Sequence, residues 1–206
     1  MKASARGIAA LLMLVAAVFG AAAAQNKSGP KTMERSVLSS DREKVSYAIG
    51  MDVGNSIKPV GPDLDIASFE RAIRNAFDGG KPLLTEDEAK ATDQALRTRI
   101  GARDGKTAPG TPTPAVDKGK VGLLVGGFMV GRSLAPIKNE IELPVLVQAV
   151  GTTIAGGKPL LEEAEAKAVL ATFTQKMQSK LQADAAAAAG YLGRLATHPV
   201  FFLVAI

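Results

Sequence analysis

The sequence predicts an all-α fold of two tandem three-helix modules, the last helix long. Apolar residues recur at i+4 spacing through several stretches. Ser, Thr or Asp stands at the start of those stretches, twice with Glu three residues on. No stretch alternates apolar and polar as a half-buried strand does. A long segment then repeats in order, which divides the helices between two related modules.

In the first module Ser40-Asp41-Arg42-Glu43 reads as a capping box, with Ser40 as N-cap and Glu43 at the third helical position. Val45, Ile49, Val53 and Ile57 follow as one helical stripe. Pro59, Gly61 and Pro62 stop that helix. Asp65 caps a second helix whose apolar face is Ile66, Phe69, Ile73 and Phe77, and Gly79-Gly80 ends it. Thr85 caps a third, with Glu88 closing another capping box.

Residues 50–100 align without gaps to 127–177 at a shift of 77, and 17 of the 51 positions are identical. Gly79-Gly80-Lys81-Pro82-Leu83-Leu84 returns as Gly156-Gly157-Lys158-Pro159-Leu160-Leu161, and Glu86 and Glu88 return as Glu163 and Glu165. In the second copy Val169, Phe173, Met177 and Leu181 prolong the third helix, and Ala185 to Ala189 sustain helix propensity up to Gly190.

The boundaries that follow are a signal peptide at 1–24, a polar lead-in at 25–40, a first module at 41–100, a linker at 101–116, a second module at 117–189 and an atypical apolar tail at 190–206. Lys2 and Arg6, the apolar run Ile8 to Phe19 and the small residues Ala21 to Ala24 make the export pattern, with a cut after Ala24. Twelve apolar residues fall short of the roughly 20 that span a bilayer. The expected location is therefore periplasmic or secreted. Pro109, Pro112 and Pro114 deny the linker helical continuity.

Composition removes several chemistries. Among 206 residues there are no Cys, no Trp and 1 His. That excludes disulfides, thiol nucleophiles and multi-histidine metal sites, so neither metal nor cofactor is expected. The formal charge of +5 falls to +3 once the signal's two bases are removed, which gives no reason to expect a nucleic-acid partner. Gly79-Gly80-Lys81 lacks the Ser/Thr of a phosphate loop, since Pro82 holds that place and a helix precedes it. Lone His198 and the acids at helix starts carry no catalytic reading.

Gly50 and Gly54, four apart on the first helix, leave room for another helix to approach closely. Packing within the module and packing against a partner are both open readings. Recurrence at Gly127 and Gly131 favours a shared role.

The string SYAIGMDVG at 46–54, with LDIASFERAIRNAFDGGKPLLTEDEA at 64–89, resembles the N-terminal domain of bacterial FKBP-type peptidyl-prolyl isomerases, the macrophage infectivity potentiator branch above all. Ser46, Tyr47, Gly50, Gly54, Phe69, Lys81, Pro82, Leu83, Leu84, Thr85, Glu86, Glu88 and Ala89 carry the match. The second copy is looser: Leu124 stands where Tyr47 is, and Leu146 where Phe69 is. The resemblance implies an exported helical homodimerisation module that contacts unfolded chains, with the isomerase site in a separate sheet domain. No segment here matches that sheet domain. Two origins are open, a truncated or frame-shifted isomerase and a naturally short protein.

The expected function is a noncatalytic, chaperone-like association module. Its partners would be another copy of itself, or the two modules paired within one chain as a pseudo-dimer, and unfolded client polypeptides. The expected interface is Val45, Ile49, Gly50, Val53, Gly54 and Ile57, with Gly127 and Gly131. The alternative is a peptidyl-prolyl isomerase whose catalytic domain has been lost.

Overall fold

Local capping chemistry sets where the helices start. In a computed structural model describing residues 36–106 and 112–196, with side chains up to residue 188, α1 spans Asp41–Ser56. Ser40 Oγ accepts from Glu43 N at 3.2 Å, and Glu43 Oε2 accepts in return from Ser40 N at 3.1 Å. Asp65 accepts from Ser68 N at 2.8 Å and starts α2, Ile66–Phe77. A left-handed Gly79 follows α2, at φ +72, which glycine adopts without steric cost. Thr85 and Glu88 close the second capping box at the head of α3, Glu86–Arg103. The helix runs three residues beyond the expected boundary at 100.

In the second module Asp117 caps α4, Lys118–Leu124. The chain continues through a π-helical stretch, Val125–Gly131, into α5, Arg132–Leu134. Then come α6, Leu143–Ala155, and α7, Glu163–Ala196. The last helix passes Gly190 without ending and takes in the first seven residues of the segment expected to be an atypical tail. The described residues contain no strand. The expected signal at 1–24 with its cut after Ala24, the lead-in before residue 36, linker residues 107–111 and the tail from 197, His198 included, lie outside the described residues.

Neither module folds around its own first helix. α1 lies on α6 and α7, while α4 and its π continuation lie on α2 and α3. The second helices α2 and α6 meet between them. The main core mixes both copies, with Ile49, Phe69 and Ile73 from the first and Val121, Val125, Leu146 and Val150 from the second. The physical reason is size. Three helices of about 60 residues bury too little apolar surface to offset chain entropy alone. Sharing one core gives each stripe a partner, at roughly 1.5–3 kcal/mol per buried large aliphatic side chain.

The continuous helical run Lys118–Glu140 is long and apolar enough to cross a membrane by length and composition. Here its Val121, Val125 and Val130 face the shared core.

The α3 capping box carries a pH dependence. The Thr85 backbone N–H, then the Lys120 ammonium and the Thr85 hydroxyl, hold the Glu88 carboxyl below the usual carboxylate range. A lowered folded value means the stabilisation is full above the unfolded pKa and is lost as pH falls through the folded one. Acidification through that range should therefore lower the hydrogen-exchange protection of the Thr85 amide. In Glu88→Gln that protection should be flat with pH. NMR exchange on both forms checks this, and pH-independent protection in the parent would refute the assignment.

Candidate functional site

The seam between the two copies is the candidate functional site, and small residues create it. An added Cβ at Gly50 would press into the Leu146 carbonyl oxygen and lie 2.7 Å from Ala149 Cβ. At Gly54 it would lie 2.7 Å from Thr153 Cβ and 3.2 Å from the Val150 oxygen. All four neighbours belong to α6, so both glycines face the other module. Ile49 and Ile57 are buried on the same seam, and Val45 and Val53 pack half-buried beside them.

The partner seam repeats this with a one-residue slip. An added Cβ at Gly126 would press on the Phe69 carbonyl oxygen and lie 3.1 Å from Ala72 Cβ. Gly131 would set one 2.8 Å from Ala76 Cβ. The gapless repeat pairs Gly50 with Gly127, but Gly127 meets only Ala72 Cβ, at an ordinary 3.6 Å. The π turn is the cause. It inserts one residue between the two contacts, so the first-copy spacing Gly50–Gly54 becomes Gly126–Gly131. Ahead of the turn the structural shift between copies is 76, and behind it 77. The stripe Val45, Ile49, Val53, Ile57 accordingly reappears as Val121, Val125, Val130, Leu134. Likewise Leu123, and not Leu124, takes Tyr47's place. No spacing rule signalled this; the only trace in sequence was that the gapless alignment began at Gly50.

Two motif residues cross the seam through hydrogen bonds. The Ser46 hydroxyl accepts from Glu142 N at 2.7 Å, satisfying a backbone donor at the head of α6. The Tyr47 hydroxyl accepts from Leu160 N at 3.0 Å, and its ring is fully buried among Val145, Ala149 and Leu161. Phe69 is fully buried beneath Gly126, and Leu84 is buried against Leu124. The Lys81 carbonyl accepts from Asn75 Nδ2 at 2.7 Å, which holds the turn after α2. Pro82 and Leu83 line a small cleft of about 260 Å³ beside Leu123 and Phe128. The motif is thus a set of packing and turn residues.

Ion pairs follow the same pseudo-twofold. Lys44 meets Glu165 at 3.3 Å, and its equivalent Lys120 meets Glu88 at 3.1 Å. A third polar feature stands in the first copy alone. Asp63, 2% exposed, pairs with Arg99 Nε and Arg103 Nη2, both at 2.7 Å. Its repeat equivalent Glu140 lines an open groove instead, with Lys176, the equivalent of Arg99. Sequence reasoning missed the Asp63 cluster, because its members lie 36 and 40 residues apart.

The model of the domain amino terminal to FKBP-type peptidyl-prolyl isomerase matches the chain twice, at residues 42–111 and 120–192, more than half of its length. An outer membrane protein MIP of Legionella longbeachae is 25% identical over 135 residues, 58% of this chain. The chain spans only about 57% of that relative's length. No solved structure matches it significantly. Each match on the chain takes in one first helix, the turn after it and the two helices beyond. The chain therefore belongs to the family of helical domains that stand amino terminal to FKBP-type peptidyl-prolyl isomerases, and it carries two of them in tandem.

Proposed function

We propose that this chain is an exported, noncatalytic association module that holds unfolded polypeptides in the cell envelope, its two modules pairing within one chain as a pseudo-dimer. The observation that carries this reading is the exchange of first helices. α1 sits on the second module's α6, α4 sits on the first module's α2, and glycines at both crossings admit close approach. The glycine-bearing face of each first helix is thus already occupied by the chain's own repeat among the described residues. Export rests on the N-terminal pattern and on likeness to a relative named as an outer membrane protein. The noncatalytic part rests on the roles of the motif residues, which are spent on packing, capping and turns.

Light scattering on the size-exclusion peak tests the pairing. The mass of one chain is expected across the micromolar range, and a stable homodimer exchanging first modules would overturn the intramolecular version. A proline-limited refolding assay tests the chemistry. Uncatalysed isomerisation takes tens to hundreds of seconds, so acceleration is easy to read. None is expected, while aggregation of an unfolded client should be suppressed.

A further inference from the structure

The pseudo-twofold also breaks beside α3 and α7, and the break leaves a groove. In the first copy the proline-bearing segment 112–116 runs beside α3 and α4. Arg99 Nη1 donates to the Pro114 carbonyl at 3.3 Å, and Val116 packs onto the core cluster that contains Leu96 and Val121. There Leu96 and Val121 are buried. Their repeat equivalents are Phe173 of the second module and Val45 of the first. These are only half-buried, and both line an open groove of about 590 Å³ between the start of α1 and the flank of α7. Lys176, equivalent to Arg99, stands on its rim, and so does Glu140.

We infer that this groove binds an extended, proline-bearing segment of an unfolded polypeptide, in the manner that segment 112–116 occupies the equivalent place in the other copy. The inference rests on the chaperone-like reading and names its site. The chemistry of the occupant follows from the filled copy. It is a proline-bearing chain outside helix and turn, its entropy already reduced by proline, that offers one backbone carbonyl to a cation on the rim and one aliphatic side chain to the floor. Lys176 supplies the cation, and Val45, Val169 and Phe173 supply the floor. An extended occupant leaves its own carbonyls free, since it makes no internal hydrogen bonds. The mixed rim, Arg42 and Lys176 against Asp41 and Glu140, selects no strong net charge in the occupant.

The test uses the full chain and a synthetic peptide copying residues 112–117, Pro-Thr-Pro-Ala-Val-Asp. Titration followed by NMR should move the signals of Val45, Val169 and Phe173. Phe173→Glu should weaken binding at least tenfold. Lys176→Ala should weaken it several-fold, and Lys176→Arg, which restores the first copy's residue on an exposed rim without touching the core, should strengthen it. No binding, binding indifferent to all three substitutions, or signals moving at Leu96 and Val121 instead would each overturn the proposal. So would a concentration-dependent dimer abolished by Phe173→Glu, which would make a second copy the occupant. Aggregation suppression separates the two readings. A chain that still suppresses aggregation but binds no peptide loses the groove and keeps the chaperone role. A chain that binds the peptide at Phe173 yet suppresses nothing loses the chaperone role, and the groove stands as a peptide site.

Discussion

Gly126→Ala should lower stability by about 1–2 kcal/mol, while Gly127→Ala, one residue along, should leave it unchanged or raise it. At Gly126 the added Cβ meets backbone, the Phe69 oxygen and the Phe69 Cα at 3.0 Å, and a helix backbone cannot step aside as a rotamer can. Overpacking of this kind costs about 1–3 kcal/mol, against a gain of up to about 1 kcal/mol for Ala over Gly in a helix. At Gly127 the Cβ meets Ala72 at 3.6 Å, ordinary contact, so mainly the helical gain remains. Gly50→Leu should be more severe than either. Its side chain has to enter between α1 and α6 against the Leu146 carbonyl, and α1 should leave its seat with loss of cooperative unfolding. Gly54→Leu should be milder, because its nearest obstacle is the Thr153 side chain. Thermal and denaturant unfolding rank the four variants. If Gly126→Ala and Gly127→Ala shift Tm alike, the one-residue slip at the π turn is wrong.

Removing both cations from Asp63 should destabilise the protein far more than removing the carboxylate. In the double variant Arg99→Ala with Arg103→Ala, a carboxylate 2% exposed would be left without its charged partners. Breaking a buried pair from that side costs about 3–5 kcal/mol. Asp63→Ala instead frees two guanidinium groups that are 38% and 37% exposed and rehydrate readily, so about 1–2 kcal/mol is expected, mostly lost hydrogen bonding. The order of the two losses in urea unfolding is the decisive result, and equal losses would remove the charge argument. Lys176→Ala, at the repeat-equivalent position, should leave stability within about 0.5 kcal/mol, since it lies on an exposed groove rim.

The first prediction draws on glycines that the sequence named without placing, and the second on residues that it never named. Gly50 and Gly54 stood out as positions for close approach, but an α1 stripe of Val45, Ile49, Val53 and Ile57 fits α2 as well as α6. Both faces are apolar and similarly spaced, so pattern alone cannot choose. The Asp63 cluster had no signal at all, because ion pairing across 36 residues leaves no local periodicity. The π turn was hidden for a related reason. It adds one residue without changing composition, and it shows only when Gly126 and Gly131 are seen against Phe69 and Ala76.

By itself the sequence determined what is local or repeated. Ser40 with Glu43, Asp65 with Ser68, and Thr85 with Glu88 each act within one helical turn, so the chain's own order specifies them. Family membership was equally accessible, because it resides in ordered residue identities such as Ser46, Tyr47 and the turn from Lys81 to Leu84. Only the tertiary structure decided which module each first helix serves, that the second copy slips by one residue, and that, among the described residues, segment 112–116 covers one of two equivalent places and nothing covers the other. The physical reason is common to all three. They are contests between chemically similar surfaces, and fit between backbones decides them at the level of a single Cβ.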